Sequence, residues 1–235
     1  MRNRRPTIAE QRYPDTPEFQ QAAREVMGSA LETMSAAIWA GYDALKDEVF
    51  DQISNVERGD EGERSVTQLL APRINRALSG FEAFYCQPGV KEMESRLPAP
   101  AQAPEYDLAF VLWGNERICW PLEAKLIPTH DTIAPYVADI NNEFMTCRYA
   151  PFSAGGAMVA YLMDGEPECF LANVGARLGV EMTEFTASRA RPHRTSRHTR
   201  SVPVGKEYPV DFTCHHIVML LTNTSAQPQA DPKKH

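Results

Sequence analysis

Residues 104–127, PEYDLAFVLWGNERICWPLEAKLI, constrain the fold more than any other stretch of the chain. Two runs rich in aliphatic and aromatic residues flank Gly114-Asn115-Glu116, the pattern of an antiparallel hairpin. The second run sets Glu123 and Lys125 inside WPLEAKLI (120–127), where a buried strand is normally a continuous apolar run. Burying such charges without partners is costly, so the run must be two-faced. Side chains alternate along a strand. Ile118, Trp120, Leu122, Ala124 and Leu126 therefore share one face, and Cys119, Pro121, Glu123, Lys125 and Ile127 share the other. Pairing about Gly114-Asn115 sets Asp107, at the start of the first strand, opposite positions 122–124. Two carboxylates and an ammonium thus converge at one end of a sheet. A hard divalent cation between the carboxylates makes that cluster electrostatically sensible. Mg²⁺ takes one or two carboxylates and fills its shell with waters and phosphate oxygens. A neighbouring Lys can orient the attacking water or offset charge building on phosphorus.

The rest of the chain supplies the frame for this hairpin. Residues 1–15 are polar and read as an arm. From Thr16-Pro17, apolar residues recur at helical spacing (Phe19, Ala22, Val26, Ala30, Met34, Ile38, Tyr42, Leu45, Val49, Ile53), which predicts one or two long helices to about Val56. The segment 58–78, RGDEGERSVTQLLAPRINRAL, reads as a further helix, GFEAFYC (80–86) as a short strand and 88–104 as a loop. A helix face over 129–148 carries Ile133, Val137, Ile140, Phe144 and Cys147. A strand follows at 156–163, then a helix over 167–179 ended by Gly179, and strands at 180–185 and 212–221. The tail, 225–235, has the composition of a disordered segment. This order of elements predicts a mixed α/β domain over 57–224 with a central sheet, preceded by an arm and helical appendage at 1–56.

Composition narrows the class. With 235 residues, 43% apolar and 23% charged, the chain has enough material for one sizeable core. No apolar run reaches the roughly 20 residues that span a bilayer, and the N-terminal arginines are not followed by an apolar segment, so no membrane partner is expected. Five scattered cysteines without a C-x-x-C pair point to reduced thiols and a cytoplasmic protein. A net charge of −7 argues against a uniformly basic nucleic-acid binder but permits a local basic groove or an acidic site that takes a metal.

The spacing Pro104-Glu105-Tyr106-Asp107, then Glu123-Ala124-Lys125, resembles the core motif of the PD-(D/E)XK (restriction-endonuclease-like) nuclease superfamily. Two residues stand between Pro104 and Asp107, a departure in the motif's least essential part. Gly59-Asp60-Glu61-Gly62-Glu63-Arg64 is similar to the glutamate-bearing helix that many members carry before the sheet. Glu63 shares a face with Val66, Leu70 and Ile74, whereas Glu61 lines up with Ser65 and Gln68 on the polar side; Glu63 is the candidate. The resemblance covers about residues 58–165. It implies a restriction-endonuclease-like mixed sheet flanked by helices. It further implies Asp107 and Glu123 as Mg²⁺ ligands with the Ala124 carbonyl assisting, Mn²⁺ as a substitute metal, and Lys125 acting on water or the transition state. The implied activity is phosphodiester hydrolysis, of DNA first, in restriction or anti-phage defence, within a larger complex or alone; the motif does not distinguish DNA from RNA. The alternative is a non-catalytic module of the same shape for nucleic-acid binding or assembly. The tripeptide alone is weak, since Asp231-Pro232-Lys233 repeats it in the polar tail.

Three further signals stand in the sequence. TASRARPHRTSRHTRSVP (186–203) concentrates Arg189, Arg191, Arg194, Arg197 and Arg200 without an acid, which suits phosphate contact or, equally, a solvated loop. Adjacent histidines in Cys214-His215-His216 point to opposite faces of a strand, so they read as packing residues rather than a metal site. The long N-terminal helices suit a homodimer, a protein partner or internal packing. No G-x-x-x-x-G-K-[ST] motif occurs, so any DNA translocation would come from another subunit.

Overall fold

The computed structural model describes residues 16–53, 60–92, 94 and 103–221. The arm at 1–15, the tail at 225–235, Val56, Gly59 and most of the proline-rich stretch before residue 103 lie outside the described residues. The chain opens with α1 (Pro17–Ser29) and α2 (Leu31–Ile53), so the long helical pattern divides into two helices at Ala30. Thr16 caps the first: its Oγ1 accepts a hydrogen bond from the Phe19 backbone N–H at 3.2 Å, and Pro17 occupies the first turn, where its missing N–H costs nothing. There follow α3 (Asp60–Ala77), β1 (Phe84–Lys91), β2 (Glu105–Leu112), β3 (Asn115–Ile127), α4 (Ala134–Asp139) and β4 (Gly155–Leu162). The chain continues with α5 (Pro167–Leu178), the two-residue β5 (Thr183–Glu184), β6 (His193–Thr199) and β7 (Asp211–Leu220).

The strands form one seven-stranded mixed sheet in the order β1-β2-β3-β4-β7-β6-β5. β3, β4 and β7 run parallel, while β1–β2–β3 and β5–β6–β7 are antiparallel. Helices cover both faces, and strict alternation along the central strands assigns each residue to one side. Leu108, Phe110, Trp120, Leu122, Ala124, Val159, Tyr161, Ile217 and Met219 pack with Met34, Ile38, Leu45, Val66, Leu70 and Ile74 of α2 and α3. Ala109, Val111, Met158, Ala160, Leu162, Cys214 and Val218 pack on the other side with Tyr136, Val137, Phe170, Leu171 and Val174 of α4 and α5. Each fully buried Leu or Val of this kind contributes about 1.5–3 kcal/mol through removal from water. Phe19, Ala23 and Met27 of α1 sit in the first of these cores too. The apolar stripe of the N-terminal helices is therefore used within the chain, and those helices form one layer of the fold.

Four local expectations need correction. β1 runs on through Pro88 to Lys91, where the proline content predicts a loop; β1 is the edge strand, the place where a residue without an N–H is tolerated. The helix expected over 129–148 is regular only from Ala134 to Asp139, then widens into a π turn at Ile140–Phe144. The strand expected at 180–185 is reduced to Thr183–Glu184. The arginine-rich segment, where no strand was expected, contains the full strand β6.

Candidate active site

The antiparallel register of β2 and β3 pairs Leu108 with Leu122 and Ala109 with Pro121. One step further along, Asp107 falls opposite Glu123, as the hairpin pattern predicts. Here the β2–β3 pairing stops although β2 runs on to Glu105, and two backbone N–H groups of β3 on that side find no ladder carbonyl. Side-chain carboxylates take their place. Asp107 Oδ2 accepts from the Ala124 N–H at 2.8 Å, and Glu63 Oε2, from the first turns of α3, accepts from the Leu126 N–H at 2.8 Å. The end of the ladder is thus satisfied by charge-assisted bonds, and the same bonds fix two carboxylates beside the Glu123-Ala124-Lys125 segment. Glu61 is exposed, and its carbonyl accepts from Ser65 Oγ. Glu63 alone of the two reaches the sheet.

Lys125 stands at the centre. Its Nζ lies 3.1 Å from Glu123 Oε1 and 3.4 Å from Glu63 Oε1. A third carboxylate, Asp139 at the end of α4, comes within 3.0 Å through Oδ2, an ion pair outside good hydrogen-bond angles. Burial alone would draw the ammonium's pKa down; Glu123, Glu63 and Asp139 together outweigh it and hold the pKa above its ordinary value. Lys125 is firmly a cation.

The carboxyls behave in the opposite sense. Glu123 is 7% exposed; its Oε2 meets no N–H or hydroxyl donor, and its carboxyl shares a hydrogen bond with that of Asp107. Burial, then the charge of Asp107, push it up to about 8, against the pull of Lys125. Asp107 is raised first by burial, with the Ala124 N–H and Lys125 opposing. Glu63 is raised by burial as well, with Lys125 and the Leu126 N–H opposing. A buried carboxylate oxygen without an N–H donor, beside a second carboxylate, is a site that gains by receiving a cation.

Residues of the π turn and of the loop after it complete the surroundings. Glu143 is raised by burial, feels Arg148, Asp139 and Lys125, and pairs with Arg148 at 3.2 Å. Tyr149 donates its hydroxyl hydrogen to the Glu105 carbonyl at 2.8 Å. Burial and then Glu123, Glu143, Asp107 and Asp139 raise the pKa of that phenol. Asp139 and Glu143 were not singled out in the sequence. Their signal is an acid pair at i, i+4 followed by Arg148, and on a regular helix that pattern reads as a solvated face.

The arginine-rich segment is not gathered at this site. β6 lies three strands from β3, roughly 14 Å at ordinary strand spacing. Arg191 stacks on Trp39 and pairs with Asp43, while Arg194 pairs with Glu168. Arg189 and Arg197 are exposed. Arg200 is corrected to a structural role: it is 4% exposed and donates to the carbonyls of Ala150, Ser153 and Pro209.

Comparison with protein-family models, with curated proteins and with solved structures returns no match for this chain. Its own chemistry has to carry the reading. Among the described residues no group of three or more His, Cys, Asp or Glu side chains is arranged to hold a metal ion. The Asp107–Glu123 pair is smaller than such a group, and two carboxylates are what Mg²⁺ ordinarily takes from a protein. No helix of the described residues is long and apolar enough to cross a membrane.

Proposed function

We propose that the chain is a Mg²⁺-dependent phosphodiesterase acting on nucleic acid, DNA in the first place, built on a restriction-endonuclease-like version of the mixed sheet. One observation carries the reading: a buried Glu123 whose Oε2 meets no N–H donor lies between Asp107 and a Lys125 held cationic by three carboxylates. Two buried carboxyls side by side, one of them with an oxygen that meets no N–H donor, suit a cation between them. Asp107 and Glu123 would hold the metal, with the carbonyl of Ala124, next to Glu123 in sequence, assisting. When bound, Mg²⁺ supplies charge neutralisation at the phosphate and a more acidic water.

The chain's own residues do the rest. Asp107 is held by the Ala124 N–H, which fixes its carboxyl beside Glu123. Glu63 fixes the opposite side of Lys125 and, through the Leu126 N–H, the backbone that bears it. The Lys125 ammonium, a donor of up to three hydrogen bonds, is set to offset negative charge developing on a phosphoryl oxygen. Hydrolysis by direct water attack needs no nucleophilic side chain, which agrees with a cluster of carboxylates and one lysine.

The competing reading is a non-catalytic module that uses the same surface for binding or assembly. Incubation of supercoiled plasmid and linear DNA with Mg²⁺ or EDTA separates the two. The enzyme reading expects strand cleavage with Mg²⁺, none with EDTA, and none by Lys125→Ala. Cleavage that survives Lys125→Ala defeats the site assignment, and an inert wild-type protein under every divalent cation defeats the enzyme.

A further inference from the structure

We propose that Arg148 binds a phosphate of the substrate backbone at the rim of the carboxylate cluster. The inference rests on the phosphodiesterase reading and supplies what that reading lacks. Glu63, Asp107, Glu123, Asp139 and Glu143 give the site an excess of negative charge, and Lys125 is engaged by three of them. A polyanion approaching such a cluster needs another cation at its entrance.

Arg148 meets the requirement by position and exposure. Its side chain is 53% exposed, its Nε lies 3.2 Å from Glu143 Oε2, and its terminal nitrogen lies 3.4 Å from Oε1. Glu143 in turn feels both Asp139 and Lys125, so Arg148 belongs to the same charge field as the site. A guanidinium that grips a carboxylate with two nitrogens can exchange it for a phosphate in the same geometry.

The backbone around Arg148 is held in place from several sides. Cys147 (φ 59°) and Ala150 (φ 51°) are both left-handed without being glycine, a conformation that L residues rarely adopt. The Tyr149 N–H donates to the Glu143 carbonyl at 2.8 Å, and the Ala150 N–H donates to the Tyr106 hydroxyl at 3.0 Å. With Tyr149 bonded to Glu105, the turn is tied to the first residues of β2, next to Asp107. An exposed ion pair is worth little to stability. Burial of Cys147, Tyr149 and Ala150 in the core pins the turn, and with it the place at which Arg148 meets solvent.

The test is fluorescence anisotropy of labelled duplex DNA in Ca²⁺ for wild type, Arg148→Ala and Arg148→Lys, with Mg²⁺ uptake by calorimetry and a circular-dichroism spectrum for each. The alanine variant should bind roughly three- to tenfold more weakly, and its dependence of log Kd on log salt should flatten by about one. The lysine variant should fall between, and Mg²⁺ uptake and spectrum should be unchanged. Wild-type affinity and salt slope in Arg148→Ala overturn the proposal while leaving the phosphodiesterase intact. Loss of Mg²⁺ uptake in step with DNA binding also overturns it, because Arg148 would then act through the site's structure. A wild-type protein that neither binds nor cleaves DNA overturns both readings.

Discussion

At the scale of single residues, Asp107, Glu63 and Glu123 divide between holding the strand and holding charge. Asp107 and Glu63 each close an open N–H of β3, and those bonds give them a structural use whether or not a cation is bound. Glu123 has no such use for Oε2. Its carboxyl, pushed up to about 8 by burial and Asp107, binds a proton more tightly folded than unfolded. The stability it contributes is therefore complete below its ordinary value near 4.5, declines as pH rises, and is gone above about 8. In EDTA, Glu123→Gln should exceed wild type in thermal midpoint by a margin that grows over that range and then levels off. Added Mg²⁺ should raise the midpoint of wild type and not of the variant. A pH-independent margin, or equal Mg²⁺ response, would remove Glu123 from the metal site. The hairpin made Asp107 and Glu123 legible, because the two-residue alternation of a strand and a short turn fix which side chains meet; Glu63 was legible only from its helix face and the family resemblance. Asp139 was not legible: its role depends on where α4 ends against β3, which no local pattern encodes.

At the scale of elements, the reading failed where polar residues build a strand. β6, HRTSRHT, has almost no apolar content, yet it pairs along its length with β7. Its inward side chains are satisfied by hydrogen bonds instead of apolar packing. His193 Nε2 lies 3.0 Å from His215 Nδ1 on one face, and Ser196 Oγ lies 2.7 Å from His216 Nε2 on the other. The two strand histidines thus do point to opposite faces, into polar contacts with their neighbours. Burial lowers His215 to about 4 and His216 to about 3, with His198 and His215 adding to the latter. The unfolded histidines take up protons below pH about 6.5 and the folded ones do not, so their stability is present above that value and is lost as pH falls. Each costs about 1.4 kcal/mol per pH unit over that span. The thermal midpoint should drop steeply from pH 6.5 towards 4, and His216→Gln should make the drop shallower. An unchanged slope would show that His216 titrates alike in both states.

At the scale of the whole molecule, a sheet covered on both faces leaves its chemistry at an end of the strands. The open ends of β2 and β3, the start of α3 and the end of α4 meet there, so one site draws on residues from 63 to 149. The mixed α/β class and most element positions followed from periodicity. The joining of α1 and α2 to the main core did not, since an apolar helical stripe fits an internal layer and an external partner equally well. The central claim is that Asp107 serves a metal-dependent reaction and not merely the ladder. The most direct measurement is the single-turnover cleavage rate of labelled duplex DNA in Mg²⁺ by Asp107→Asn, with its thermal midpoint. An asparagine oxygen can still accept from the Ala124 N–H, so the midpoint should hold within a few degrees while the rate falls by roughly a thousandfold or more. A rate within tenfold of wild type, with the fold intact, would contradict the account.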